Sequence, residues 1–525
     1  MKRVLSLLLA CLMAMSLAAC GNKEEGSASG DGDGKKDTLT IAVMTDCGDM
    51  NPHGLTSNKN WKIKGQCYET LFYVDYETGE IEPMLATDYE WLDTLTLKIK
   101  LREGVQFHNG YGEMTADDVL FSLNEVYNSS ANYPISTLDM EKCEKVDDYT
   151  IILRTKEPYS PLVNNLSNCA TAIFSKAGFE EDGGNFTVDI GTGPFMFDEW
   201  LEGESVTQVR FDDYWAGPAK LAKLYWKVID SDSSRSLELQ TGGCDISYTV
   251  SMLDREKLEE KGFVFEKFWI NDTNTLVLNC TLDIFKDNPT LRRALAYAFD
   301  REKVATVAFN DPDRAMDLVL DYMHPYGYKD VEDAKAHGAN IITFDLEKAK
   351  ELFEEAGYYD PSSPLYNYTF KLKISPDSEW TAMSQAYKAD LATIGVNLDI
   401  ISFDYATYVN DLKVTRDFEM APWGTAPVTG DFDYLALHYY SESTSSINIP
   451  QCKNPEFDAL LREYRATTED ETRKELAMQM QNILYDEYYQ IPMYETVETY
   501  AYSSDLKGFE MGMYQTPLLY SCYFE

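Results

Sequence analysis

The sequence is short of basic residues: 46 Lys and Arg stand against 88 Asp and Glu, a formal charge of −42 over 525 residues. With no basic block there is no face for a phosphate backbone, which excludes general nucleic-acid binding and adhesion to anionic lipid by charge. Histidine is scarcer still. The five (His53, His108, His324, His337, His438) never fall three or four apart, so no zinc-binding helix is written in the chain and no metal is implied. No G-x-x-x-x-G-K-[ST] loop occurs, Gly191-Thr192-Gly193 lacks the third glycine of a dinucleotide turn, and there is no G-x-S-x-G elbow. Ser504 and Lys507 have S-x-x-K spacing without the S-D-N or K-T-G that accompanies it in serine acylases, and are read as chance. The ten cysteines contain no C-x-x-C pair, which sets aside zinc ribbons and thioredoxin-like redox sites. With 88 acids some carboxylate pair reaches glycosidase separation in any fold, so composition neither supports nor excludes hydrolysis. Beyond the first twenty residues no apolar run is long enough to cross a bilayer.

What is present is apolar enough to fold. Hydrophobic residues make up 44% and aromatics 13%, and 525 residues outgrow a single core, so two or three structural units are expected. Lys2 and Arg3 precede an apolar run over residues 4–17 that ends in Leu17-Ala18-Ala19-Cys20, the layout of an export signal over residues 1–19. The small residues before Cys20 resemble the lipobox of bacterial lipoproteins, which implies cleavage there and lipidation of Cys20. Residues 20–37 are Gly, Ser, Asp, Lys and Glu with hardly an apolar side chain, a composition that reads as a flexible tether. The folded body is therefore expected on the outer side of the cytoplasmic membrane, anchored by lipid.

Strands and helices interleave, which predicts a mixed α/β (α+β) protein. Residues 94–101 alternate strictly, with Leu95, Leu97, Ile99 and Leu101 on one side, as in a half-buried antiparallel strand. Further strands are expected at 39–43, 149–155, 206–211, 224–229, 276–279 and 368–374. Thr115 with Asp118 opens a helix over 116–127, and Asn288-Pro289 opens one over 290–309. Asp345 caps a helix closed by Gly357, one over 380–394 closes at Gly395, and two more are expected at 456–466 and 470–485.

A series of short blocks runs through the chain in order. They begin with Tyr68-Glu69-Thr70-Leu71, Pro83-Met84-Leu85-Ala86, LREGVQFHNG over 101–110 and Thr115-Ala116-Asp117-Asp118-Val119. They continue with Gly191-Thr192-Gly193-Pro194-Phe195, Asp212-Asp213-Tyr214-Trp215, Gly242-Gly243-Cys244-Asp245-Ile246, LRRALAYAFDR over 291–301 and Asn454-Pro455-Glu456-Phe457-Asp458. Together, over residues 38–525, they resemble the oligopeptide/dipeptide/nickel-type solute-binding proteins of ABC importers (bacterial extracellular solute-binding protein family 5). The resemblance implies a two-lobed, periplasmic-binding-protein-like clamshell. Domain I would comprise 38–66, 191–270 and 500–525, domain II (67–190) would be an insertion on it, and domain III (271–499) the opposing lobe. It further implies a monomer without cofactor that encloses a peptide or other small molecule and docks on ABC permease and ATPase subunits.

The same resemblance points to site residues. A tryptophan loop of the second lobe faces the ligand in this family, and here it is similar to the segment carrying Trp423, Gly424 and Thr425. In peptide-binding members an aspartate three residues past that tryptophan pairs with the peptide's α-ammonium, but Ala426 stands at that position. A buried ammonium without a counter-charge is costly. Either Asp431 or Asp433 takes the place, or the ligand has no free amino terminus. Met50 and Asn51 match an early turn bordering the pocket, and Tyr248 a second bordering segment. Cys47 and Cys244 stand where dipeptide-binding relatives place a disulfide, so that bond is expected. The eight cysteines past Cys20 allow 105 connectivities, and for the six besides Cys47 and Cys244 the pairing stays open. The leading expectation is capture of a peptide for import. Oligosaccharides, metal complexes, opines and haem are alternatives within the family, and a surface hydrolase or a sensory receptor are alternatives outside it.

Overall fold

The computed structural model describes residues 36–53, 58–75, 78–319, 324, 326–425, 430–444, 446–512 and 516–525. The expected export signal, Cys20, nearly all of the tether, Ala426 and the side chain of Thr425 lie outside the described residues. Asp37–Glu525 pack as one continuous unit.

Its spine is a ten-stranded mixed sheet. Five of its strands carry the argument: β1 (Thr38–Val43), β2 (Ile246–Tyr248), β3 (Phe263–Leu278), β4 (Met420–Thr425) and β5 (Gln490–Ser503). In the sheet they stand in the order β4-β3-β5-β2-β1, with two further strands beyond β4 and three beyond β1. β3 and β5 are unusually long (16 and 14 residues) because Val, Ile, Thr, Tyr, Phe and Trp recur throughout both, and they pair antiparallel along most of their length. One end of this pair belongs to each lobe. The register slips between Trp269 and Thr273 and again between Asn274 and Thr275, so β-bulges sit where the chain passes from one lobe to the other.

Each lobe has its own core. Leu39, Ile41 and Val43 of β1 face a cluster with Trp226, Phe195 and Tyr500, whereas Leu276, Met420 and Ile491 belong to the larger core of the second lobe. The inserted segment carries a separate four-stranded antiparallel sheet with its own core of Leu97, Ile99, Val119 and Leu123. Within it Leu97, Ile99 and Leu101 are buried, as the alternation predicts. Leu95 is not: Asp93 accepts its N–H at 2.8 Å and holds it in the preceding turn. The helix Ala116–Tyr127 opens on the expected Thr115–Asp118 capping box.

Two local expectations are corrected. Residues 290–309 form two helices, Pro289–Tyr297 and Arg301–Phe309, because the Asp300 side chain accepts the Lys303 N–H at 3.0 Å and caps a new start. The Cys47–Cys244 bond is not formed. Cys47 packs with Leu39, Ile41 and Val43, whereas Cys244 packs with Ala42, so the two thiols lie against opposite faces of β1. Both are buried and free, and desolvation raises each thiol to about 12, leaving neither reactive.

Candidate functional site

Strand direction locates the cleft. β2 runs antiparallel to β5 and ends at Tyr248 opposite Tyr500, pointing toward the second lobe. β4 runs antiparallel to β3 and ends at Thr425 opposite Thr273, pointing back toward the first. The carboxyl ends of β1, β2 and β4 thus converge on the bulged crossing of β3 and β5, the place where open α/β sheets take their ligands.

On the first lobe the wall is built from Val43, Met44, Thr45 and Thr249 over Tyr248, with Lys62 and Glu498 beside them, around a cavity of about 30 Å³. Lys62 is ion-paired to Glu498 and stands 4.7 Å over the Tyr248 ring. Tyr248 itself is buried, its hydroxyl directed at Met511 Sδ (3.6 Å), so it forms floor rather than wall. Its neighbour Thr249 has φ +55°, a left-handed conformation that a β-branched residue adopts only under constraint. The constraint is Arg235: Nε donates to Tyr248 O (2.9 Å), Nη2 to Thr249 O (3.2 Å) and Nη1 to Ile229 O (2.6 Å). Asn51 is engaged in its own turn, its Oδ1 accepting the His53 N–H at 2.9 Å and its carbonyl the Lys64 ammonium at 2.9 Å, while Met50 packs near Trp61 and Tyr68.

On the second lobe Trp423 and Gly424 form the end of β4. Trp423 is half-buried against the cluster of Tyr408, Leu412 and Ile449, with Lys413 Nζ 4.3 Å from its ring centre. Gly424 is closely bordered by two side chains. A Cβ there would come within 3.1 Å of both Asp272 Oδ1 and Asn274 Oδ1, so a carboxylate lies directly against the glycine. Thr496 donates to Asp272 Oδ2 at 3.0 Å. Burial and then the charge of Asp272 push the Tyr434 hydroxyl above its usual range, which places the carboxylate within electrostatic reach of that ring. Neither Asp272 nor Thr249 stands out in the sequence, since one sits in a polar stretch between strands and the other shows only in its backbone.

Asp431 and Asp433 are not on the wall. Both are buried: Asp431 accepts from Arg473 Nη2 (2.5 Å) and Tyr464 Oη (2.7 Å), Asp433 from Arg465 Nε (2.5 Å) and Tyr159 Oη (2.9 Å). They open the helix α1 (Phe432–Leu437) and lock it to α2 (Pro455–Ala466) and α3 (Asp470–Glu487). Tyr159 comes from the inserted segment, and beside it Ser160 donates its N–H to Arg465 O (2.8 Å) and its hydroxyl to Tyr464 O (3.1 Å). Tyr133 of the same segment meets Tyr434 edge-on at 5.4 Å. These contacts tie the inserted segment to the second lobe. Among the described residues no group of three or more His, Cys, Asp or Glu is placed to hold a metal ion.

Three histidines are buried as neutral groups: desolvation lowers His53, His324 and His438 from 6.5 to about 4. The unfolded chain takes up those protons first as pH falls through 6.5, so the stability they contribute is complete above pH 6.5 and is lost toward pH 4. His108 opposes this. Its two ring nitrogens contact Asp189 Oδ1 (2.9 Å) and Gly193 O (2.8 Å); desolvation is the largest single influence and lowers it, but the charge and hydrogen bond of Asp189, the Gly193 carbonyl and the Glu69 charge together raise it. Three lowered groups outweigh one raised, so the urea midpoint is expected to fall between pH 7 and pH 5; a flat or rising midpoint refutes the neutral burial of these rings.

A two-lobed sheet bent at a bulged strand pair, with its site at converging strand ends, is the architecture of a solute-binding protein that closes on its ligand. The chain belongs to the family described as "Bacterial extracellular solute-binding proteins, family 5 Middle", whose model matches residues 80–446. It is 27% identical over 493 residues to Heme-binding protein A of Haemophilus influenzae, covering 87% of this chain and 86% of that protein. It is 25% identical over 496 residues to the Glutathione-binding protein GsiB of Salmonella paratyphi A, covering 90% and 91%. Among solved structures it superimposes on the periplasmic binding protein DppA of Helicobacter pylori in complex with the peptide STSA, with TM-score 0.73 and 24% identity, covering 94% of this chain and 98% of that one. It is accordingly the extracytoplasmic solute-binding component of an ABC importer and not an enzyme. No helix among the described residues is long and apolar enough to cross a membrane.

Proposed function

We propose that the protein captures a peptide between its lobes and delivers it to a permease while held to the membrane by lipid on Cys20. The observation that carries this reading is the convergence of β1, β2 and β4 on the bulged crossing, with Trp423 and Gly424 at the end of β4 and Tyr248 at the end of β2. The glutathione-binding relative and the peptide-bound structure support a peptide. Asp272 supplies the carboxylate that Ala426 does not, from β3 rather than from the tryptophan loop, and its contact with Gly424 sets it beside the indole wall. The protein acts as a monomer built of domain I (38–66, 191–270, 500–525), the inserted domain II (67–190) and domain III (271–499). Each lobe contributes part of the wall, so ligand contacts favour the closed arrangement by population shift.

Isothermal titration with short peptides in free and N-acetylated form tests the reading. A charge-assisted hydrogen bond contributes about 1.5–3 kcal/mol, so acetylation is expected to weaken binding about tenfold or more. Equal affinity for the two forms excludes amine recognition by Asp272 and moves the ligand toward a solute without an amino terminus, the reading that Ala426 favours on its own.

A further inference from the structure

A buried cation of the first lobe is spent on backbone. Arg235, on the helix Asp232–Gln240, is 1% exposed, and it forms no ion pair among the described residues. All four of its described hydrogen bonds end on main-chain carbonyl oxygens: Nε on Tyr248 (2.9 Å), Nη2 on Thr249 (3.2 Å), and Nη1 on both Ile229 (2.6 Å) and Asp230 (2.7 Å). Tyr248 ends β2, and Ile229 directly follows the strand Lys223–Val228. Both strands run parallel to β1, one on each side of it. One side chain thus straps together the carboxyl ends that flank β1. Taking a guanidinium out of water without a counter-charge is costly, so the reason for keeping one here lies in the backbone that it holds.

That backbone leaves the ladder at Thr249. β2 and β5 pair Tyr248 with Tyr500, and the next bond runs from Val250 N–H to Thr499 O at 3.3 Å. Thr249 stands between them in the left-handed region at φ +55°, where glycine is the usual residue. It is exposed and lines the cavity at the first-lobe wall. A trans peptide is planar, and its C=O and N–H point in opposite directions. Arg235 draws the Tyr248 carbonyl inward, so the Thr249 N–H on the same plane faces away from the buried guanidinium, toward the exposed side. The second gripped carbonyl, that of Thr249, sends the Val250 N–H to Thr499 in the same manner. The Thr249 N–H has no such acceptor among the described residues. A cation on the carbonyl also polarises the peptide, which strengthens the N–H on its far side as a donor.

We infer that Arg235 is a positioning residue of the first lobe: gripping the Tyr248 and Thr249 carbonyls from beneath, it aims the Thr249 N–H into the cleft as a main-chain donor for a carbonyl oxygen of the captured solute. The inference rests on the peptide-capture reading and adds to it a first-lobe contact made by backbone. The strain of a β-branched residue at φ +55° is then offset by the direction it gives the N–H.

The test is hydrogen–deuterium exchange of the intact protein, stripped of bound solute and then supplied with an equimolar mixture of tri-, tetra- and penta-alanine. Native mass spectrometry follows capture in parallel. The Thr249 amide is expected to exchange rapidly in the empty protein and about tenfold or more slowly with peptide bound. Arg235→Gln should weaken capture about tenfold, the effect of one hydrogen bond. Measured in the Thr249→Gly background, the same substitution should cost no more than about threefold, because glycine holds the left-handed conformation without the strap. Capture that leaves the Thr249 amide unprotected overturns the inference, and so does an Arg235→Gln loss equally large in both backgrounds; either leaves peptide capture standing. The exchange measurement uses the wild-type chain, so it decides the donor even where Arg235→Gln does not fold. If the wild-type protein captures none of the peptides, the peptide reading falls and the positioning role with it.

Discussion

Arg473→Met is expected to lower the stability of the second lobe by about 3–5 kcal/mol, read from denaturant-induced unfolding. Arg473 is 6% exposed and Asp431 1% exposed, so removing the guanidinium leaves a buried carboxylate whose remaining partners are Tyr464 and the backbone of its own helix start. Arg473 also donates to the hydroxyls of Tyr464 (2.7 Å) and Tyr326 (3.1 Å), so its loss opens a network rather than one bond. Replacing both members, Arg473→Met with Asp431→Leu, should cost clearly less than Arg473→Met alone, because the uncompensated charge is gone. If the double variant is as unstable as the single one, packing rather than charge dominates. The consequence for function is indirect. α1, which this network anchors, is the next element after the strand that carries Trp423, and Asp433 beside it receives Tyr159 from the inserted segment. Loosening it should therefore also weaken ligand binding, although no residue of the network belongs to the cleft wall.

These same residues show what the sequence can disclose. The capping box at Thr115 and Asp118 is legible because both partners lie within one helical turn, and the strand periodicity of residues 96–101 because burial alternates locally. The break at Asp300 is written as plainly, an aspartate three residues before an amide it can cap. It is hidden because apolar spacing continues across it. The bulged crossing is harder. Asn271-Asp272-Thr273-Asn274 reads as a turn, and only pairing with β5, far along the chain, makes it the middle of a strand. Asp431 and Asp433 look like a solvated acidic loop until Arg465, Arg473 and Tyr159 arrive from elsewhere. Trp423 is picked out by resemblance alone, whereas the charges near it, Asp272 and Lys413, are set by tertiary placement and by one π-turn.

The second large effect is expected at Gly191. A Cβ there would lie 2.1 Å from the carbonyl oxygen of Cys67, an overlap with backbone that no rotamer relieves, so Gly191→Ala should cost about 3 kcal/mol, the upper end for an over-packed core. Gly193 is nearly as tight, 2.5 Å from Gln66 O. The crowding marks the seam where the chain enters the inserted segment and leaves it again: Gly193 N–H donates to Cys67 O at 2.8 Å, Phe195 N–H to Gln66 O at 3.1 Å, and His108 N–H to Gly191 O at 2.9 Å. The block Gly191-Thr192-Gly193 is thus a close crossing of two backbones, and His108, gripping Gly193 O and Asp189, is its clasp. Because the inserted segment reaches the second lobe through Tyr159 and Ser160, a slack seam leaves those contacts without a fixed base. Gly191→Ala should then lose affinity together with stability. His108→Gln, which removes the ion pair to Asp189 without adding bulk, should reproduce the effect in weaker form. A Gly191→Ala protein with wild-type unfolding midpoint would show that the two backbones separate freely at this point and that the seam carries no strain to the cleft.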